Sequence, residues 1–138
     1  MIHKHPYSCE QFDLRDCRWE VQSVQDGEMT IRVDGENILT GECQGEVIEQ
    51  AVVTFRGFSM TWFRIFKEAG DGILMEEEQA REILMDGDYF VFSFWDDGQE
   101  CECAGLGGET FAMLFSYDSA EITWDAFRQR PVGELVTK

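Results

Sequence analysis

The sequence predicts a mainly β protein of the α+β class, an antiparallel β-sandwich or open barrel of about eight strands with one packed helix. Three observations predict it. Five Asp-Gly pairs punctuate the chain, beginning at Asp26, Asp34, Asp71, Asp86 and Asp97, and Asp-Gly suits turns with positive φ, including tight hairpin turns. The runs between these pairs alternate apolar and polar residues or are rich in aromatics, which is how strands read. Only one stretch spaces its apolar residues as a helix does.

The elements follow in order. Cys17 to Val24 is a strand with Trp19 and Val21 on one side. After Asp26-Gly27 the run Glu28 to Val33 alternates Met29, Ile31 and Val33 with Thr30 and Arg32, completing a hairpin. Ile38 to Thr40 reads as a short strand and Gly41 to Gly45 as a loop. Glu46 to Phe55 reads as one strand, with Val47, Ala51, Val53 and Phe55 on one face and Ile48 and Val52 on the other. Phe58 to Phe66 follows, with Trp62 and Phe66 opposed to Phe63 and Ile65. Glu76 to Met85 is the helix: its Glu-rich first turn suits the positive end of the helix dipole, and Ala80, Ile83 and Leu84 form an apolar stripe. Tyr89 to Trp95 and Glu100 to Ala104 form a second hairpin around Asp97-Gly98. Gly105 to Gly108 reads as a glycine-rich loop, Phe111 to Tyr117 as an alternating strand, and Ala120 to Trp124 as a final strand.

The 138 residues fit a single domain, 1–138, with residues 1–10 and 128–138 expected to be mobile termini. With 43% apolar residues, 11 Phe, 4 Trp and 3 Tyr, the chain can bury a real core, which excludes a disordered protein. The start, Met1 to Pro6, leads into no apolar run, and no stretch approaches a membrane span, so a cytoplasmic protein is expected. The five cysteines are expected to be free thiols. In a strand, Cys101 and Cys103 face one way and Glu100 and Glu102 the other.

Charge is the best functional clue. The chain carries 28 acids and 11 bases, a net charge of −17. Residues 1–67 hold 11 acids and 7 bases, a net of −4; residues 68–138 hold 17 acids and 4 bases, a net of −13. Such a balance excludes direct binding to nucleic acid, whose phosphates need a basic footprint, and disfavours an anionic membrane surface. Glu76, Glu77, Glu78, Glu82, Asp86, Asp88, Asp96, Asp97, Glu100 and Glu102 lie on the helix, just after it and around the following hairpin. One reading is a solvated face that keeps the protein soluble. The sharper reading is one continuous acidic surface that docks a basic protein, since complementary fields steer association.

Constellations for chemistry are weak. The only histidines, His3 and His5, sit in the expected mobile terminus, where a general base lacks a fixed position. His3, His5 and Cys9 match no zinc spacing, and Asp86-Gly87-Asp88 does not continue into an EF-hand. No cofactor, metal or catalytic residue is expected. A third possibility is an apolar pocket lined by Trp62, Phe94 and Trp95 in a small-molecule-binding β-barrel.

Two segments carry a family resemblance. Leu14-Arg15-Asp16-Cys17-Arg18 opens the first strand, and Ala51-Val52-Val53-Thr54-Phe55-Arg56-Gly57 precedes a later one. Their order resembles small β-rich bacterial proteins associated with immunity to polymorphic toxins, over residues 12–67. Arg15 stands where that pattern has His. The resemblance implies a small, non-catalytic cytosolic binder that neutralises a toxin domain, and the acidic surface adds that the toxin is basic, such as a nuclease. A mimic of DNA that blocks a nucleic-acid-binding protein is the alternative reading of the same charge.

Overall fold

The computed structural model describes residues 2–8, 12, 14–25, 27–34, 46–48, 50–66, 72–85, 88–107, 109–125 and 127–129. Among these residues it has twelve strands and one helix: β1 (His3–Pro6), β2 (Cys17–Gln25), β3 (Glu28–Asp34), β4 (Glu46–Ile48), β5 (Ala51–Arg56), β6 (Ser59–Phe66), β7 (Ile73–Leu74), α1 (Glu77–Met85), β8 (Asp88–Asp96), β9 (Glu100–Gly107), β10 (Glu109–Ser116), β11 (Ser119–Trp124) and β12 (Phe127–Gln129). Ten of the strands form one antiparallel sheet in the order β1-β11-β5-β3-β2-β8-β9-β10-β6-β7, and β12 pairs with β4 in a second. The β-rich architecture with one helix is the one that the sequence predicts.

The large sheet folds over on itself. β5 is third in the strand order and β6 is ninth, yet only Gly57 and Phe58 join them. Six strand spacings come to roughly 29 Å in a flat sheet, whereas two residues span only about 7 Å. The same holds for β10 and β11, joined by Tyr117 and Asp118. The fold line lies between β2 and β8, where only Cys17–Glu20 pair with Val91–Asp88 while the rest of β2 pairs with β3 alone. One layer is therefore β11-β5-β3-β2, and the other is β8-β9-β10-β6.

The core lies between the layers. Phe55 of the first layer meets Phe115 of the second edge-on at 5.2 Å, and Tyr117 at 5.2 Å. Phe63 stacks on Phe111 at 5.5 Å, and Tyr89 meets Phe111 at 4.7 Å. Met29, Ile31 and Val33 are wholly buried, as their alternation predicts. The helix packs on β2 and β6 through buried Ala80 and Leu84, and the Tyr89 hydroxyl donates to the Ile83 carbonyl near its C-terminal end. The two crossovers lie side by side. Asp118 N–H donates to the Arg56 carbonyl at 2.8 Å, and Gly57, at φ +71°, has no room for a Cβ because the Asp118 carboxylate fills the space.

Several elements differ from the sequence expectation. The run read as one strand over 46–55 is two, β4 and β5, which belong to different sheets. Gly105 and Gly107 are not loop residues but part of β9. A Cβ on Gly105 would meet the Phe111 ring and the Phe90 carbonyl, and one on Gly107 would strike the Tyr89 ring, so glycine here marks close approach rather than a turn. His3–Pro6, within the terminus expected to be mobile, is an edge strand paired with β11, and His3 and His5 both stack on Trp124. Pro6 is tolerated there because an edge strand leaves one side unpaired. The strand read at Ile38–Thr40 lies outside the described residues.

Candidate functional site

The acidic residues divide by position. Glu76, just before α1, and Glu77, Glu78 and Glu82 on it are exposed. Glu77 pairs with Arg81 one turn on, at 2.9 Å, while Glu76, Glu78 and Glu82 make no ion pair among the described residues. Asp88 opens β8 and is clasped by the Arg18 guanidinium, whose Nε donates at 2.8 Å. That hydrogen bond holds the Asp88 carboxyl below the usual aspartate value and raises Arg18. Asp86 lies outside the described residues.

At the other end of β8 the carboxylates serve the hairpin. Asp96 accepts the Tyr117 hydroxyl at 2.9 Å and the Gly98 N–H at 2.7 Å. Asp97 accepts the N–H groups of Gln99 and Glu100 at 2.9 and 2.8 Å, which lower its carboxyl below the usual value. Asp118 joins Asp96 and Asp97 around an open recess of about 590 Å³ bounded by Tyr7 and Tyr117. Asp118 was not singled out in the sequence; only the fold brings it across the 21 residues that separate Asp96 from Tyr117.

The expected continuous acidic surface is thus two groups. Asp88 and Asp96 are the two ends of one nine-residue strand, and at about 3.3 Å per residue they stand roughly 26 Å apart. The helix group lies at the Asp88 end and the hairpin group at the Asp96 end. Glu102 stands on β9 opposite Trp95, at the hairpin end, exposed, with its neighbours Cys101 and Cys103 buried on the opposite face as the alternation predicts. Burial pushes the Cys103 thiol well up, so it stays protonated. Among the described residues no disulfide involves Cys17, Cys101 or Cys103.

Across the strands Glu102 has apolar neighbours, while along β9 it stands between Glu100 and Ala104. Across β8, β9, β10 and β6 the registers place Trp95 beside Glu102, Glu102 beside Leu114 and Leu114 beside Trp62. A parallel row runs Phe90, Leu106, Thr110 and Phe66, and between the rows lie the small side chains of Ala104 and Ala112. All these residues alternate with buried ones, so they point away from the core. Phe90, Phe92, Trp95 and Leu106 are 46%, 45%, 56% and 51% exposed. Arg64 stands over the Trp62 ring, 5.4 Å from its centroid.

A β-bulge creates part of this face. The pairing of β8 with β9 shifts between Val91 and Ser93. Before it Tyr89 and Val91 point inward; after it Phe94 does, packing edge-on against Trp19 at 5.5 Å. Trp95 is therefore turned outward. The pocket expected from Trp62, Phe94 and Trp95 is not formed: Phe94 is on the core side, and Trp62 and Trp95 share the outer face three strands apart. No known protein family, curated protein or solved structure matches the chain. No helix among the described residues is long and apolar enough to cross a membrane.

Proposed function

We propose that this protein is a non-catalytic acidic binding protein that captures a basic protein partner, in the manner of an immunity protein neutralising a basic toxin such as a nuclease. One observation carries the reading. Among the described residues the exposed carboxylates of Glu76, Glu78, Glu82 and Glu102 make no ion pair, whereas Glu20, Glu28 and Glu121 of the first layer each have an arginine. Unpaired like charges repel one another in the free protein, and a cationic partner relieves that repulsion. A nuclease presents a positive cleft to phosphates, so the match is electrostatic on both sides.

Mimicry of DNA is less well supported, because the apolar outer face separates the two acidic groups where a mimic needs an unbroken row. The test is capture from the native cell at low and then high salt. The specific partner should be basic, retained at low salt and weakened at high salt. A partner that is acidic or insensitive to salt overturns the reading.

A further inference from the structure

We infer that the basic partner docks on the outer face of β8, β9, β10 and β6, around Trp95 and Glu102, rather than on the helix that carries most of the local charge. This rests on the reading of a basic partner given above and names where that partner lands. An acidic helix face is the ordinary surface of a soluble protein. A sheet face with Phe90, Phe92, Trp95 and Leu106 each about half exposed is not: contiguous exposed apolar surface of this kind marks interaction sites.

Three features choose the occupant. First, Glu102 lies at the hairpin end of the patch, flanked in register by Trp95 and Leu114 and two residues along β9 from Glu100, and makes no ion pair among the described residues. An uncharged apolar partner would bury that carboxylate without compensation, which is costly; a cation opposite it removes the cost. Second, Arg64 over the Trp62 ring shows on this same face how a guanidinium is held. An arginine of the partner seated over Trp95 repeats that contact and reaches Glu102 beside it. Third, a net charge of −17 opposes a second copy, which would bring like charges together on this face. The anchors stand on paired strands, so little backbone freedom remains to be lost on binding. The occupant is a protein surface that carries arginine among apolar side chains.

Three synthetic peptides of equal length test this: one alternating Arg and Phe, one alternating Arg and Gly, and one alternating Phe and Ser. Binding is read by backbone amide shifts of the full chain. The Arg/Phe peptide should bind at least tenfold more tightly than either of the others, with shifts centred on β8 and β9. Trp95→Ser and Glu102→Lys should each weaken it tenfold or more, with Leu106→Thr as a milder variant. The combined Glu76→Gln, Glu77→Gln, Glu78→Gln, Glu82→Gln protein should bind within about twofold of the parent. Loss confined to that helix variant overturns the face while leaving a basic partner standing. Equal binding of the Phe/Ser peptide, unchanged by Glu102→Lys, overturns the charge requirement and the basic partner with it. A dimer of the free chain that Trp95→Ser dissolves assigns the face to a second copy and overturns the inference, as does failure of all three peptides to bind.

Discussion

On the outer face of the first layer, Arg32 meets Glu20 and Arg56 lies within 4 Å of both Glu28 and Glu121, and at the seam with the second layer Arg18 of β2 clasps Asp88 of β8. On the outer face of the second, Trp95 and Leu114 flank Glu102, which makes no ion pair among the described residues, and Phe90 and Leu106 lie farther along on the same face. Both faces come from the same sheet, with the same period-two alternation and the same shared core behind them. The difference is in what alternates. In β2, β3 and β5 the outward positions are largely charged or hydroxylated; in β8, β9, β10 and β6 they are largely aromatic or aliphatic. An ion-paired outer face is already satisfied in the free protein. An apolar face that holds a carboxylate with no ion pair among the described residues is not.

The comparison can be broken or sharpened by substitution. The largest effect is expected where the two layers meet. Phe115→Ala removes a ring that packs on Phe55 and Phe58, and should lower the unfolding free energy by about 3–5 kcal/mol in urea titration. Phe92→Ser, also the loss of a large aromatic but on the outer face, should change it by no more than about 0.5 kcal/mol. A cost for Phe92→Ser close to that of Phe115→Ala would mean that the outer face is a second core.

Next in size is the crossover that lets the layers close. Gly57→Ala meets both a positive φ and the Asp118 side chain, and should cost about 1–3 kcal/mol by the same measurement. A neutral result would remove the strain argument for this connection.

The hairpin end gives a pH signature. The Asp97 carboxyl lies below the usual aspartate value because it accepts two backbone N–H groups. A depressed folded pKa means that ionised Asp97 adds stability above the usual carboxylate range. That stability is lost as pH falls through the folded value. The stability gap between the parent and Asp97→Asn should be full near neutrality and close in that acidic window. A gap independent of pH would show that the carboxylate charge contributes nothing to the turn.

The smallest effect belongs to the ion-paired face. Arg18→Gln should cost little, because the pair with Asp88 is exposed and screened, and the loss should vanish in high salt. The Asp88 carboxyl should return toward its ordinary value in a carboxyl-carbon NMR titration. An unchanged Asp88 titration would reassign its shift to another cause.

Much of the fold was legible in the sequence because strand periodicity is local. Met29-Thr30-Ile31-Arg32-Val33 declares its own buried side, and Cys101 and Cys103 declare theirs against Glu100 and Glu102. The helix was legible from Ala80, Ile83 and Leu84. β7 escaped notice because two residues have no period, and β1 because its letters are His, Lys, His and Pro. Gly105 and Gly107 were misread because a glycine that makes room for a ring looks, in one dimension, like a glycine that makes a turn. Of the candidate site, the exposure of the acids was legible, but their separation into two groups was not.

By itself the sequence determined the class of structure, the hairpins, the inward side of most strands and the surplus of carboxylates in the second half. These depend on residues two to four positions apart. Only the tertiary structure decided that β5 and β6, adjacent in the chain, belong to opposite layers. It alone showed that the bulge after Val91 turns Trp95 outward while Phe94 turns in. It alone placed Glu102 on one face with aromatic residues from β8 and β6. The reason is physical: which side of a strand is apolar follows from its own residues, but whether a second apolar side meets a neighbour or solvent depends on how a ten-stranded sheet closes on itself.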